Sequence, residues 1–271
     1  MNDTVAIITV SFNKKAIPQL IESLSRQNIK NFTFYIVDTS ENQDSFSALT
    51  ESMQVLKREN KGYAYGVNEG IKVALQQGHT KFCIINDDTF VNEDFTQQID
   101  KSLQSHPSSL IGGKIYYAPG HEYHSDRYTK KDFGNVLWYA GGTVDWAHSQ
   151  PGHRGVDEID RKQFDKTEET EFITGCLMLL DKKVIETVGF LDESYFLYYE
   201  DADYCERAKK KNIKLIYDPS VIVWHLISQS TDGSGSKLHQ TYQQKNLVRY
   251  ALKYAPLRTK AHVLKNFLFG R

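Results

Sequence analysis

The first hundred residues alternate between short apolar runs and longer stretches with helical spacing. Residues 5–10, 34–37 and 82–85 are β-branched or aromatic runs bounded by polar residues, whereas residues 17–24 and 63–75 repeat apolar side chains every three or four positions. This alternation predicts an α/β fold in which helices cover both faces of a mostly parallel, Rossmann-like sheet. Ligands of such sheets bind beyond the carboxyl ends of the strands.

Polar residues follow all three of these predicted strands. Ser11 and Asn13 follow the first strand, Asp38 follows the second, and an Asn-Asp-Asp triplet at 86–88 follows the third. Because the carboxyl ends of parallel strands meet at one edge of a sheet, these groups predict one binding site. For the triplet alone, an Asx-rich turn leading into a helix is an equally simple interpretation.

A second acidic cluster opens a predicted helix. It contains Glu200, Asp201 and Asp203, and His225 follows a later predicted strand. Neighbouring carboxylates raise one another's pKa, which makes one of them a better base; for Asp203 we favour the simpler role of a first-turn acid that complements the helix dipole. With the triplet at 86–88, these groups can hold a divalent metal on a diphosphate and deprotonate a hydroxyl. The combination indicates sugar transfer from a nucleotide diphosphate.

The middle of the chain is less regular. Residues 110–165 are rich in glycine, tyrosine and histidine, which predicts irregular strands and mobile loops at the sheet edge, suited to contacting an acceptor. The highly charged residues 157–171 predict a solvated loop. A strand at 172–180 and a helix at 182–188 follow, and two further strands are predicted at 213–217 and 221–224.

Several aromatic and histidine side chains in the middle region have open assignments. For four aromatic residues, stacking on a sugar and packing in the core or at its rim are equally compatible with the sequence: Tyr116, Tyr117, Trp138 and Tyr139. Four histidines lack cysteine or acidic partners at zinc spacing, so we interpret them as surface residues: His121, His124, His148 and His153.

Charge and cysteine content exclude some classes of protein. The chain of 271 residues has 33 basic and 34 acidic side chains, and this balance argues against a nucleic-acid partner. Its three widely spaced cysteines predict buried thiols in a reducing compartment.

No charged-then-apolar leader precedes the first strand, and no apolar run approaches the ~20 residues that span a bilayer. We therefore expect a cytoplasmic location.

The C-terminal region differs in kind from the rest. Residues 241–271 contain seven basic residues and no acidic one, interleaved with leucine, valine and phenylalanine. We predict a catalytic domain at 1–235 and a basic amphipathic helical extension at 236–271, with linker-like composition at 231–236. The extension either lies peripherally on the anionic inner face of the plasma membrane or packs on the domain with a solvated basic face.

An ordered set of motifs carries a family resemblance. The motifs are Val-Ser-Phe-Asn at 10–13, Val-Asp-Thr-Ser at 37–40, Glu-Asn-Lys-Gly-Tyr-Ala-Tyr-Gly-Val-Asn at 59–68, Ile-Asn-Asp-Asp-Thr at 85–89, Gly-Cys at 175–176, Gly-Phe-Leu-Asp-Glu at 189–193, Tyr-Glu-Asp-Ala-Asp at 199–203 and Trp-His at 224–225. Over about residues 4–230 the chain resembles a family 2 glycosyltransferase of the GT-A fold, in the rhamnosyltransferase-like branch that builds bacterial surface polysaccharides. Asn86 stands where the first acid of the family's Asp-x-Asp signature often lies.

The resemblance implies an inverting, metal-dependent transfer from a nucleotide-diphosphate sugar, either dTDP-rhamnose or a UDP-sugar. The acceptor would be a saccharide or lipid-linked saccharide of capsule, O-antigen or cell-wall synthesis. Mn²⁺ or Mg²⁺ is expected on Asp88 and His225, with Asp201 as the catalytic base. The residues expected at the acceptor are Glu200, Trp138, Gly175 and Cys176. Those expected at the nucleotide sugar are Thr9, Ser11, Asn13, Asp38, Asn60, Gly62, Asn68, Asn86 and Asp87.

Two other functions remain open, and a homodimer is compatible with the sequence. A nucleotidyltransferase that makes nucleotide sugars would need a Gly-rich, basic phosphate loop after its first strand, but residues 11–15 contain no glycine. The same absence excludes a dinucleotide-binding dehydrogenase. A non-catalytic sugar-binding homologue would tolerate loss of its acids, so the presence of Asp88, Asp201 and His225 argues against it.

Overall fold

The computed structural model describes residues 2–41, 46, 50–227 and 237–269. Within these ranges the chain forms one large sheet with helices packed against it, and a separate two-stranded hairpin. The strands are β1 Asn2–Ser11, β2 Phe32–Asp38, β3 Met53–Lys57, β4 His79–Ile85, β5 Thr89–Val91, β6 Leu110–Tyr117, β7 Leu137–Tyr139, β8 Gly142–Asp145, β9 Gln150–His153, β10 Glu168–Glu169, β11 Leu177–Asp181 and β12 Leu215–His225. The helices are α1 Ile17–Ser25, α2 Tyr63–Gln76, α3 Phe95–Ser105, α4 Lys182–Val188, α5 Glu200–Lys210, α6 Lys237–Tyr254 and α7 Leu257–Phe269.

The order of the strands brings several of their ends to one edge. Along the sheet the order is β10, β12, β6, β11, β4, β1, β2 and β3. Strands β3, β2, β1 and β4 are parallel neighbours, β6 and β12 are parallel to each other, and β11 runs antiparallel between β4 and β6. The prediction of a mostly parallel α/β sheet is therefore confirmed. The carboxyl ends of β1, β2, β4, β6 and β12 share an edge with the start of β11.

Strand β6 is the largest departure from the expected fold. The sequence pattern predicts irregular structure from residue 110 onward, but all residues of Leu110–Tyr117 are buried in the sheet. Gly112 and Gly113 weaken the apolar periodicity of this strand. Gly113 is nevertheless required, because a Cβ atom there would lie 2.3 Å from the carbonyl oxygen of Val221 on β12. Close approach of two backbones explains a glycine inside a central strand.

Other boundaries also differ from the prediction. The strand expected at 172–180 begins only at Leu177, so residues 172–176 are free to form the cavity wall described below. The strands expected at 213–217 and 221–224 are one strand, β12, whose pairing with β6 shifts register between Asp218 and Ile222. The irregularity coincides with the polar Asp-Pro-Ser segment at 218–220, which makes one strand look like two in the sequence.

The charged residues 157–171 are attached to the core rather than fully solvated. Lys114 on β6 is 2% exposed, and its Nζ lies 2.8 Å from Asp160 Oδ2 and also forms an ion pair with Asp165. The hydroxyl of Tyr116 donates a hydrogen bond to the same Asp160 carboxylate. A buried ammonium group needs carboxylate partners, and these partners hold the loop against the sheet.

The two C-terminal helices differ in how they contact the domain. Helix α6 packs on it: Tyr250 is fully buried, and Lys253 Nζ lies 2.6 Å from Asp192 and 2.8 Å from Asp203. Helix α7 is attached through Thr259, which donates to the carbonyl of Trp146 at 2.9 Å. The predicted linker at 231–236, and with it the domain boundary at 235, lies outside the described residues.

Helix α7 exposes most of its large apolar side chains. They are Leu257, Leu264, Phe267, Leu268 and Phe269. Across the described ranges of the chain, no helix combines the length and apolar character needed to cross a membrane.

Candidate active site

A cavity of about 920 Å³ opens at the edge where the carboxyl ends of the parallel strands meet. Of the sixteen site residues predicted from sequence, this cavity brings twelve together, namely Asn13, Asn60, Gly62, Asn86, Asp87, Asp88, Trp138, Gly175, Cys176, Glu200, Asp201 and His225. Its volume lies at the upper end of the range typical for small-molecule sites, about 300–1,000 Å³. The cavity is therefore large enough for a nucleotide sugar.

Three predicted residues lie on strands beneath the cavity rather than in its wall. Thr9, Ser11 and Asp38 are fully buried. Burial raises the pKa of the Asp38 carboxyl, but hydrogen bonds from Lys57, Ser40 and Lys14 outweigh burial and lower it overall. Asp38 therefore carries a negative charge within a ring of donors at the end of β2.

Asn68 also lies outside the cavity, on helix α2. Its Nδ2 donates to the carbonyl of Leu191 at 3.0 Å and to Glu193 Oε1 at 2.8 Å, and its Oδ1 accepts from the amide of Leu191 at 3.0 Å. The side chain joins α2 to the turn at 189–193. Motif resemblance groups it with ligand-binding residues, whereas the structure places its side chain outside the cavity wall.

Asp88 and His225 come from distant segments but meet directly. Strand β5, which begins after Asp88, pairs with the end of β12 so that Thr89 lies opposite His225. His225 Nε2 consequently lies 3.0 Å from Asp88 Oδ1. Burial lowers the pKa of His225, but its neighbours Cys176 and Asp88 outweigh burial and raise the pKa well above the ordinary value.

The donor atoms of this pair fit a divalent cation. Asp88 Oδ1 and His225 Nε2 are hydrogen-bonded at 3.0 Å, and the same separation is found between two adjacent ligand atoms of an octahedral ion with bonds of about 2.1 Å. Within the described ranges, no group of three or more histidine, cysteine or acidic side chains is arranged to hold a metal. A cation on this pair would need further ligands from phosphate or water.

Asp87 lies beside this pair at the cavity wall. Burial is the largest cause that raises the pKa of Asp87, the charge of Asp88 raises it further, and the Ser11 hydroxyl and His225 oppose the shift. Two adjacent buried carboxylates repel each other, and the neighbouring His225 opposes that repulsion at this end of β4.

Asp201 also lines the cavity, in the first turn of α5. Its Oδ2 accepts a hydrogen bond from the amide of Gly175 at 2.8 Å, and its Oδ1 accepts from the amide of Ala202 at 2.8 Å. Burial raises the pKa of Asp201, while these backbone donors oppose the rise. The carboxylate is thus fixed in orientation and more basic than a surface aspartate.

Glu200 precedes Asp201 and is also buried. Burial, followed by the charge of Asp201, raises the pKa of Glu200 well above its usual value. Its Oε2 has no hydrogen-bond partner among the described residues. A buried acid with an unpaired oxygen at a cavity wall can hydrogen-bond a ligand hydroxyl.

Two consecutive non-glycine residues before this pair have left-handed backbone conformations. Tyr198 has φ 67° and Tyr199 has φ 71°. Each such residue costs about 1–2 kcal/mol relative to a right-handed conformation. Strain of this kind persists only when surrounding contacts impose it, so some other part of the fold must hold this turn.

The third wall of the cavity is built around Trp138 on β7. Its ring packs edge-on against His153 at 4.3 Å and against His225 at 4.5 Å between centroids. Burial lowers the pKa of His153 to about 4, so the ring is neutral at neutral pH. The interpretation of His153 as a surface residue is therefore wrong. The hairpin β8–β9 carries it to the cavity, and no sequence motif identifies it.

Comparison of the whole fold with solved structures defines it as a GT-A fold. The structure of GalNAc-T7 with UDP, GalNAc and Mn²⁺ superposes with a TM-score of 0.64 at 13% identity, covering 92% of this chain and 48% of that one. A mannosyltransferase from Pyrobaculum calidifontis, in complex with GDP-Man and Mn²⁺, gives a TM-score of 0.53 at 13% identity, covering 98% of this chain and 70% of that one.

The sequence gives the family. The chain belongs to glycosyl transferase family 2, whose model matches residues 6–189. It is 24% identical over 226 residues to the low-salt glycan biosynthesis hexosyltransferase Agl10 of Haloferax volcanii, covering 79% of this chain and 64% of that protein. It is 21% identical over 236 residues to the dTDP-rhamnosyl transferase RfbF of Shigella flexneri, covering 85% of this chain and 72% of that protein. The family and fold expected from the motifs are thus confirmed.

Proposed function

We propose that this protein is an inverting, metal-dependent glycosyltransferase that moves a sugar from a nucleotide-diphosphate donor to a saccharide acceptor. The observation that carries the proposal is the arrangement of one cavity. The Asp88–His225 pair, suited to a cation, lies in its wall, and a carboxylate with a raised pKa, Asp201, lies in the same wall. These are the two requirements of direct displacement, a stabilised leaving group and a base.

The donor would bind along the ends of β1, β2 and β4. Asn13, Asn60 and Gly62 line this part of the cavity. They lie near Asp38, which accepts hydrogen bonds from Lys57, Ser40 and Lys14. Gly62 has φ 101°, and a Cβ atom there would lie 2.4 Å from the carbonyl oxygen of Phe196. Only glycine therefore allows the chain to pass this close to the loop before Asp201.

Mn²⁺ or Mg²⁺ on Asp88 and His225 would neutralise charge on the diphosphate leaving group. Because these two side chains supply only two ligands, oxygens of the donor diphosphate and water would complete the coordination. The carboxylate of Asp88 suits either ion, and the imidazole of His225 favours the softer Mn²⁺.

Transfer then needs one proton to move. Asp201 takes the proton of the acceptor hydroxyl, and the oxygen attacks the anomeric carbon as its bond to the diphosphate oxygen breaks. Attack from the face opposite the leaving group inverts the anomeric centre. Glu200, whose pKa is raised by burial and whose Oε2 has no partner among the described residues, hydrogen-bonds the acceptor, and Trp138 provides an aromatic face for a sugar ring.

For the donor we favour dTDP-rhamnose over a UDP-hexose or UDP-furanose. The proposal rests on similarity to a protein named a dTDP-rhamnosyl transferase. The product would then belong to a bacterial surface polysaccharide such as capsule, O-antigen or cell-wall glycan, and a lipid-linked acceptor fits the membrane proposal below.

A panel of nucleotide sugars tests the function. The protein is incubated with each donor, Mn²⁺ or Mg²⁺ and candidate acceptors, and release of nucleoside diphosphate is measured beside an EDTA control. We expect metal-dependent release of nucleoside diphosphate with one donor class. Release of pyrophosphate from a nucleoside triphosphate and a sugar phosphate would instead indicate a nucleotidyltransferase. Binding without turnover for every donor would indicate a sugar-binding homologue.

Helix α7 supports a peripheral membrane location for this enzyme. Leu257, Leu264 and Leu268 are exposed and recur at helical spacing on the side away from Thr259 and Val263, which are buried. Arg258, Lys260 and Lys265 flank this stripe. An apolar stripe between cations is complementary to an anionic bilayer surface, so we assign α7 to the inner face of the plasma membrane.

Vesicle binding tests this location. Leu268→Glu should strongly reduce sedimentation with anionic vesicles. Gln244→Glu adds the same charge at an exposed position of α6 and should have only a small effect. Binding of the unmodified protein should weaken with salt, because surface charges are screened beyond about 10 Å at 0.1 M. Equal vesicle binding by both variants would reject the proposal, and a monomer–dimer shift in Leu268→Glu would identify the stripe as a homodimer contact.

A further inference from the structure

Helix α6 holds the loop that leads into Asp201. We call residues 194–199 the base loop. Asn246 on α6 is 1% exposed, and its Nδ2 donates to the carbonyl of Leu197 at 2.8 Å and to the carbonyl of Tyr198 at 3.0 Å. One carboxamide thus satisfies two successive carbonyls at the beginning of the left-handed turn.

Neighbouring residues on the same face of α6 reinforce this contact. The ring of Tyr242 stacks on Phe196 with centroids 4.9 Å apart and an interplanar angle of 17°. The guanidinium of Arg249 donates to the carbonyl of Ser194. One turn of helix separates each of these side chains from Asn246, so α6 follows the base loop along its length.

The base loop in turn contacts both sides of the cavity. The carbonyl of Phe196 accepts from the amide of Tyr63 at 2.8 Å, where α2 begins. The hydroxyl of Tyr63 donates to the carbonyl of Gly175 at 3.0 Å, and the amide of Gly175 donates to Asp201 at 2.8 Å. Hydrogen bonds made by the base loop, Tyr63 and Gly175 therefore connect α6 to the Asp201 carboxylate.

We propose that Asn246 is a positioning residue, and that α6 is part of the catalytic unit rather than an appendage. This inference rests on the proposed function, because it assigns a task to the base. Without the two amide donors, Tyr198 and Tyr199 can relax to negative φ values, which rotates the first turn of α5 and moves Asp201. A misplacement of about 1 Å can reduce a rate by about 10²-fold.

The test uses a pair of matched substitutions on one helix. Asn246→Asp keeps the shape of the side chain but removes both N–H donors. Gln244→Glu makes the same amide-to-carboxylate change at an exposed position of α6 and serves as the control. Tyr242→Leu removes the stacking on Phe196 without burying a charge, and it is the second variant if Asn246→Asp folds poorly.

Three measurements are made on the full-length protein: amide hydrogen exchange over residues 194–204, kcat for transfer, and the Kd of the nucleoside diphosphate. In Asn246→Asp we expect exchange in this segment to accelerate at least tenfold relative to the control. We expect kcat to fall by about 10–100-fold while Kd changes by less than about threefold, since the base is used only in the transfer step.

Two results would overturn the proposal. One is unchanged exchange over residues 194–204 in Asn246→Asp and Tyr242→Leu. The other is a transfer rate that equals the wild-type rate once it is divided by the fraction of the variant protein that binds nucleotide. In that case the substitution only unfolds part of the protein. A wild-type protein without turnover on any donor would count against the proposed function, whereas the exchange measurement would still decide the role of α6.

Discussion

The donor side and the base side of the cavity are built in different ways. On the donor side, the side chains at 11–13, 38 and 86–88 follow strand ends, and parallel pairing of β1, β2 and β4 brings them together. On the proposed base side, Asp201 accepts from Gly175 in the turn before β11, and it follows a loop with two left-handed residues that helix α6 contacts. The first arrangement follows from strand ends and sheet register, whereas the second depends on loop and helix contacts outside the sheet.

This difference predicts how each side responds to substitution. A change on the donor side should act locally, through loss of a ligand or a hydrogen bond. A change on the base side should affect transfer more than donor binding, because the elements involved orient the base and the acceptor.

Asp201→Asn should reduce turnover by about 10²–10⁴-fold, because the amide keeps the shape but cannot accept the proton. Donor affinity should change little, since Asp201 lies on the base side. Steady-state kinetics and calorimetry with the nucleoside diphosphate measure the two quantities, with exposed Asp126→Asn as the control. Transfer at the wild-type rate would show that Asp201 is not the base.

Asp88→Ala should weaken binding of UDP or dTDP by about 10–100-fold, the scale of losses at disrupted metal sites. The physical reason is loss of a cation ligand. EDTA should therefore weaken nucleotide binding by the wild-type protein to a similar degree, and it should not weaken nucleotide binding by the variant any further. Calorimetry with and without Mn²⁺ makes the comparison. If affinity is the same for the wild type, the variant and the EDTA sample, the metal has no part in donor binding.

Trp138→Ala should raise the KM for the acceptor by about fivefold to tenfold, the scale expected of one aromatic stacking contact. The Kd of the donor nucleotide should remain unchanged, and Trp138→Phe should recover part of the loss because it keeps an aromatic face. Acceptor titrations at saturating donor measure the effect. A donor-binding defect equal to the acceptor defect would contradict the separation of the two sides.

Glu200→Gln should raise the Tm at alkaline pH by about 2–4 °C, equivalent to about 1 kcal/mol for a chain near this size. The pKa of Glu200 is raised in the folded protein. Its contribution to stability is therefore present below the unfolded pKa and is lost as pH rises through the folded pKa. Melting curves at acidic and alkaline pH test the sign, with Glu186→Gln as an exposed control. A gain confined to acidic pH would contradict burial of the carboxylate.

The contrast also explains which residues could be identified in advance. Asn86, Asp87 and Asp88 could be located because a buried apolar strand ends just before them, and pattern alone predicts where its end lies. His153 could not, because its position depends on how the hairpin β8–β9 folds over the sheet. The role of Asn246 could not be predicted from the sequence either, because a single amide side chain within a helix resembles any polar surface residue.

The α/β class, the sheet edge at which the cavity lies, and the acidic residues at 86–88 and 200–201 could all be predicted from the amino-acid sequence. These follow from apolar periodicity and strand ends, which are local properties of the chain. Three other features required the folded structure: the contact of Asp88 with His225, the position of Gly112 and Gly113 in a central strand, and the contact of α6 with the base loop. Such contacts join residues distant in sequence, and their geometry is set by packing of the whole fold rather than by any neighbouring residue.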